Sequence, residues 1–140
     1  MHAKGQDIVA TANSLLGVKY RHQGRNLAGL DCVGVPIYIG AALGIKEWDT
    51  TSYSSRPNIK EFLRLIRDTG STEVPLAQMA NGDMLQMNYH GWPVHVGIYE
   101  KDEKGNEYII HAFARHRCVT RDPLTVEQKA KIKSVWRFPE

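Results

Sequence analysis

Apolar residues recur at helical spacing in the first half of the chain and at strand spacing in the second. Ile8, Val9, Ala12, Leu15 and Leu16 form one stripe across residues 7 to 16, and Gly17 can close that helix. Residues 18 to 25 are polar with a single aromatic, Tyr20, and read as an irregular loop punctuated by Gly24 and Gly29. A second, more apolar helix is expected from the run Val35-Pro36-Ile37-Tyr38-Ile39, with Asp31 as its N-cap, Pro36 near its first turn and an end near Gly44. Residues 46 to 57 read as a surface loop. Asn58 with Glu61 then resembles a capping box for a third helix that buries Ile59, Phe62, Leu63 and Ile66 and stops by Gly70.

Beyond residue 80 the period changes to two. Met84 to Met87, Val94 to Tyr99, Glu107 to Phe113 and Lys133 to Phe138 are strand-like, with turns at Asn81-Gly82-Asp83 and at Asp102 to Asn106. A short strand over Arg117 to Thr120 and a helical turn over Thr125 to Lys131 complete the pattern. Helices first and an antiparallel meander afterwards imply an α+β fold. The most apolar helix should be central, with its N-terminus aimed at the sheet.

That placement gives Cys32, in Gly29-Leu30-Asp31-Cys32-Val33-Gly34, a chemical meaning. A thiol in the first turn of a helix sits beside unsatisfied N–H groups and the positive end of the dipole. Such surroundings lower a cysteine pKa from ~8.5 toward neutrality. A thiol also needs an imidazole to take its proton and a third polar group to orient that imidazole. His95, flanked by Val94 and Val96, and His111, after Ile110, lie on neighbouring strand segments that a hairpin can bring together. Tyr20 can aim its hydroxyl at an oxyanion formed beside the helix start. The bland readings are satisfied core histidines, a packing tyrosine and an inert buried thiol. Cys118 has no helix context and is read as structural; His22, His90 and His116 fall in polar, surface-like surroundings.

Composition narrows the classes. The 140 residues are enough for one domain with a single core, 42% hydrophobic and 24% charged. A net charge of +3, from 18 basic and 15 acidic residues, is too mild to read as a nucleic-acid surface. No apolar run approaches the ~20 residues of a membrane span, so no membrane insertion is expected. The N-terminus lacks the basic-then-apolar pattern of a secretory signal, so synthesis in the cytoplasm is expected. The two cysteines permit a disulfide on count alone, but pairing would remove the nucleophile, and both are expected reduced. A zinc centre built from Cys32, His95 and His111 is stereochemically reasonable, yet no short-spaced ligand pair supports it; no metal or cofactor is expected.

Taken together, Leu16-Gly17-Val18-Lys19-Tyr20, Asp31-Cys32-Val33-Gly34, Asn81-Gly82-Asp83-Met84, His95-Val96-Gly97-Ile98-Tyr99 and Ile110-His111-Ala112 resemble the NlpC and p-sixty family of papain-like cell-wall cysteine peptidases. The order and approximate spacing agree from about residue 7 to residue 113. The resemblance implies a papain-like fold over residues 1 to 140, Cys32 as nucleophile, His95 as general base, His111 as the orienting third residue and Tyr20 on the oxyanion side. It also implies hydrolysis of peptidoglycan stem peptides, typically between D-glutamate and diaminopimelate or lysine. Two departures stand out: Val33 replaces the serine usual after the cysteine, and the hairpin from Tyr99 to Tyr108 is longer than in compact members. The compact chain with Tyr20-Arg21-His22-Gln23-Gly24-Arg25 looks most like the phage-tail or prophage branch, whose partners would be other tail proteins. The rival readings are a structural tail or wall-binding module without turnover, and another cysteine acyl-transfer enzyme such as an amidase toxin or a lipid acyltransferase.

Overall fold

The computed structural model describes residues 3–45, 59–89 and 92–139. Helix α1 spans Ala3–Ser14, α2 Gly34–Ala42, α3 Ile59–Asp68 and the short α4 Val126–Lys129. Strands are β1 Arg25–Asn26, β2 Gly29–Leu30, β3 Thr72–Val74, β4 Met84–Tyr89, β5 Trp92–Lys101, β6 Glu107–Phe113, β7 Cys118–Pro123 and β8 Ile132–Arg137. The fold is α+β and papain-like, with α1, α2 and α3 on one face of a six-stranded sheet ordered β3-β8-β4-β5-β6-β7. Strands β4 to β7 form the expected meander. β8 then returns to pair with β4, and β3 adds an edge that the sequence pattern does not reveal.

The helical stripes bury as amphipathic faces should. In α1 the buried positions are Ile8, Ala12 and Leu15, and Gly17 closes the turn at φ 89°. The helix begins four residues before the apolar stripe, where Gly5 is buried against Gly82 and Lys4 Nζ donates to the Pro139 carbonyl at 2.9 Å. In α3 the buried residues are Phe62, Leu65 and Ile66, whereas Ile59 is exposed, so the inner face is rotated from the expected one. The surface loop 46 to 57 and the Asn58 end of the capping box lie outside the described residues. α2 is central as expected: Val35, Ile37 and Ile39 are buried between α1 and the sheet.

Alternation along the strands splits the core in two. Met84, Val96, Ile98, Ile110, Ala112 and Trp136 face the helices. Leu85, Met87, Tyr99, Ile109, Phe113 and Val135 pack with Leu124 on the opposite face.

The segment expected to be an irregular loop is more ordered than its polarity implies. Gly17 N–H donates to the Val119 carbonyl, Val119 N–H to Val18, and Tyr20 N–H to Arg117, so residues 17–20 run along β7. β2 follows beside them, paired with β1 and bridged to Tyr20. These hydrogen bonds are with distant parts of the chain, which local sequence does not report.

The Asn81-Gly82-Asp83 turn also has a structural task. The Asp83 carboxylate is buried, accepts the Ala80 N–H at 2.8 Å and pairs with Arg137 through Nε and a terminal nitrogen, both at 2.9 Å. It thereby ties the entry of β4 to the exit of β8. Asp83→Ala leaves the guanidinium and the Ala80 N–H without this acceptor, and a loss of about 2–4 kcal/mol is expected in urea unfolding. An unchanged midpoint would remove Asp83 from this role.

Candidate active site

Asp31 starts the helix that carries the thiol. Its carbonyl accepts the Val35 N–H at 3.2 Å, and its carboxylate accepts the Gly34 N–H at 2.7 Å. Asp31 is thus the functional N-cap, and Cys32 lies in the turn that leads into α2. The same carboxylate accepts the Gln23 N–H at 2.8 Å and pairs with Arg25 at 3.2 Å, which fixes the turn against β1. Gly34 lets this happen: a Cβ there would stand 2.3 Å from the Gly24 carbonyl oxygen. Val33 is buried in the core, so the side chain that replaces serine packs inward.

The thiol meets the sheet where β5 and β6 separate. Their pairing runs from Lys101↔Glu107 only as far as Ile98↔Ile110. Beyond that point, the backbone N–H groups of Val96, Val33 and Cys32 itself lie near enough to the Cys32 sulfur to favour its thiolate. The sulfur therefore abuts the residue that follows His95.

Cys32 is half-buried and both cysteines are unbonded thiols. The expected pKa lowering is not what the structure produces. Burial, followed by the Asp31 charge, pushes the Cys32 thiol up to about 12 against the opposing N–H groups. The carboxylate that caps the helix offsets the helix-end field at the sulfur. Burial and the neighbouring His111 and His116 rings hold His95 well below the usual histidine range. The thiol and the imidazole are thus both neutral near neutral pH.

His95 and His111 come together as the hairpin implied. His95 Nε2 and His111 Nδ1 are 2.7 Å apart, and both rings are buried against Phe113, with ring centroids 5.2 and 6.0 Å from it. Gly97 permits the approach, since a Cβ there would lie 3.0 Å from the His111 Cβ and 2.4 Å from an Ile109 side-chain carbon. The long Tyr99–Tyr108 hairpin does not disturb this, because its extra length is ordinary β pairing closed by the Asp102 carboxylate on the N–H groups of Lys104 and Asn106.

Tyr20 is half-buried beside this site. Burial first, and then the charges of Cys32 and Asp31, raise its pKa, so the phenol stays a neutral O–H donor near the sulfur. A polar recess lined by Arg21, His22, Gln23 and Arg25 adjoins the Asp31 turn.

Sequence reasoning missed Asp122. Its Oδ2 lies 2.7 Å from His111 Nε2 and accepts from Thr120 Oγ1 at 2.9 Å. His116, read as a surface residue, is exposed but stands 3.3 Å from the same oxygen. Only β pairing of His111 with Thr120 and of Ile109 with Asp122 brings them to one face, and no local motif marks that.

The chain thus combines an α+β fold, a cysteine in the turn that opens a central helix, and a buried histidine pair on adjacent strands of the sheet. The NlpC/P60 family model matches residues 17–137, and the chain belongs to that family. Among solved structures it is similar to the NlpC/p60 domain of the peptidoglycan hydrolase SagA, with 20% identity, TM-score 0.66 and coverage of 96% of this chain and 98% of that one. A NlpC/P60 family protein from Bacillus cereus is 23% identical with TM-score 0.69; the match covers 97% of this chain but 40% of that chain. RipD from Mycobacterium tuberculosis, described as a non-catalytic NlpC/p60 domain protein adapted to peptidoglycan binding, is 17% identical with TM-score 0.61 and 98% coverage of each chain. No curated protein matches the chain in sequence.

The raised thiol pKa has a direct readout. Below its pKa the thiolate fraction of Cys32 grows about tenfold per pH unit. Peptide-resolved iodoacetamide labelling is therefore expected to be slow at Cys32 near pH 7 and to climb to pH 10 without levelling. A plateau reached near neutral pH would show a preformed thiolate and overturn this assignment.

Proposed function

We propose that the protein is a cysteine peptidase that hydrolyses peptidoglycan stem peptides, at the bond between D-glutamate and diaminopimelate or lysine. The observation that carries this reading is that the Cys32 sulfur lies beside the N–H of Val96, the neighbour of His95, whose Nε2 is 2.7 Å from His111 Nδ1, with Tyr20 in the field of the same sulfur. Membership of the family, and the recess with Arg21 and Arg25 beside the Asp31 turn, support a stem peptide, whose acidic residues carry free carboxylates.

In the proposed course, His95 takes the Cys32 proton as the sulfur attacks the amide carbonyl. N–H groups at the helix start and the Tyr20 hydroxyl stabilise the oxyanion. Collapse breaks the C–N bond, and protonated His95 gives its proton to the departing amine. Water then attacks the thioester, its hydroxyl going to the acyl group and its proton returning through His95 to the sulfur. His111 orients His95 throughout. We place this chemistry on a phage tail that opens the wall locally during DNA entry, following synthesis in the cytoplasm. Other tail proteins would be its partners.

Digestion of sacculi of several wall types, with mass spectrometry of the fragments, tests the reaction. Cys32→Ala and Cys32→Ser are expected to abolish cleavage while keeping the fold. Tyr20→Phe is expected to lower turnover about 10- to 10³-fold with little change in KM. Wall binding without fragments in the wild type would support a binding module instead, and turnover in both Cys32 variants would remove the nucleophile. The tail setting is checked separately by mass spectrometry of purified tail particles, where absence of the chain overturns it.

A further inference from the structure

His111 is fully buried, and both of its ring nitrogens are engaged. Nδ1 faces His95 Nε2 at 2.7 Å, and Nε2 faces Asp122 Oδ2 at 2.7 Å. An ionised carboxylate can only accept, so the hydrogen between His111 and Asp122 belongs to His111 Nε2. In a neutral imidazole the other nitrogen is then a bare acceptor. His111 Nδ1 must therefore take the hydrogen of His95 Nε2, and the lone pair of His95 is left on Nδ1. One negative charge on β7 orders the protons of two rings in sequence.

We propose that Asp122 is a positioning residue which, through His111, selects Nδ1 of His95 as the basic nitrogen. The inference rests on the reading of His95 as the base for Cys32. Without the charge, the string His95–His111 satisfies its central hydrogen bond equally well with both protons reversed, which would put the lone pair of His95 on Nε2, facing away from its task. The carboxylate breaks that degeneracy.

Asp122 is built to hold this state. Thr120 Oγ1 donates to the same oxygen at 2.9 Å, and His116 Nδ1 lies 3.0 Å from Thr120 Oγ1 and 3.3 Å from Asp122. Since Thr120 has given its hydrogen to Asp122, it accepts from His116. The hydrogen bond from His111 leads the interactions that keep the Asp122 carboxyl below the usual carboxylate range, so the charge is present at neutral pH. His111, His116 and Asp122 also offer donor atoms within 4.8 Å of one another, a set a metal ion could use. Two ligands of one tetrahedral zinc stand roughly 3.3 Å apart, given bonds of about 2.0–2.1 Å. The 2.7 Å separation of His111 and Asp122 is instead that of a charge-assisted hydrogen bond.

Two measurements test the proposal. Nitrogen-15 NMR of the free protein at neutral pH is expected to show hydrogen on Nε2 of both His95 and His111, and the reversed or mixed pattern in Asp122→Asn. This readout needs no substrate. In stem-peptide hydrolysis, Asp122→Asn is expected to lower kcat roughly 10²- to 10⁴-fold with KM nearly unchanged. The acid limb of its kcat/KM profile should move to lower pH, because the imidazolium loses an anionic partner. Asp122→Glu should recover part of the loss, whereas a residue that only braces the strand would not distinguish charge from amide.

A wild-type spectrum with the hydrogen on Nδ1 of His111 would overturn the proposal, and that spectrum decides the matter even if the variants fail to fold. Unchanged kcat and pH profile in a folded Asp122→Asn would overturn it as well. Failure of the peptidase reading is distinct: Cys32→Ala would then retain activity, or no wall peptide would be cleaved, while the wild-type spectrum still reports the tautomers.

Discussion

The candidate site depends on where the ladder between β5 and β6 ends. Their backbone pairing stops at Ile98 and Ile110, and just past it the Val96 N–H lies beside the Cys32 sulfur. A path of contacts closes around it: β5 to β6 to β7, from β7 to residues 17–20, from these to β2, and from β2 through Asp31 to Cys32. Because the path returns to β5, the helix start cannot shift without disturbing pairing on the far edge. The thiol is held by the pairing of β5, β6 and β7 as much as by its own helix.

Within that frame the electrostatics run against a simple picture of a helix-activated thiolate. The Asp31 carboxylate that caps α2 stands next to the sulfur, and burial adds to its effect. A single residue thus stabilises the helix and, with burial, holds the Cys32 thiol in its neutral form. His95 is held neutral as well, by burial and two neighbouring rings.

The pattern of periods made the fold class legible. A stripe at Ile8, Ala12 and Leu15, an apolar run after Cys32, and alternation from Met84 onward are enough for helices on one sheet. The glycines and acids of the motifs also had local reasons that the structure exposes. Gly34 admits the Gly24 carbonyl, Gly97 admits His111, and Asp83 binds Arg137. β3 and the pairing of residues 17–20 were not legible, because edge strands and isolated bridges draw their stability from distant partners.

By itself, then, the sequence determined α1 to α3, the strands β4 to β8, the N-cap at Asp31 and the candidate quartet Cys32, His95, His111 and Tyr20, because these follow from short-range periodicity and motif spacing. Only the tertiary structure decided the protonation of the thiol and the place of Asp122. A pKa is set by all charges and all burial around a group, whatever their distance along the chain. Asp122 reaches His111 through register between two strands, and register is a property of pairing, which no single segment carries.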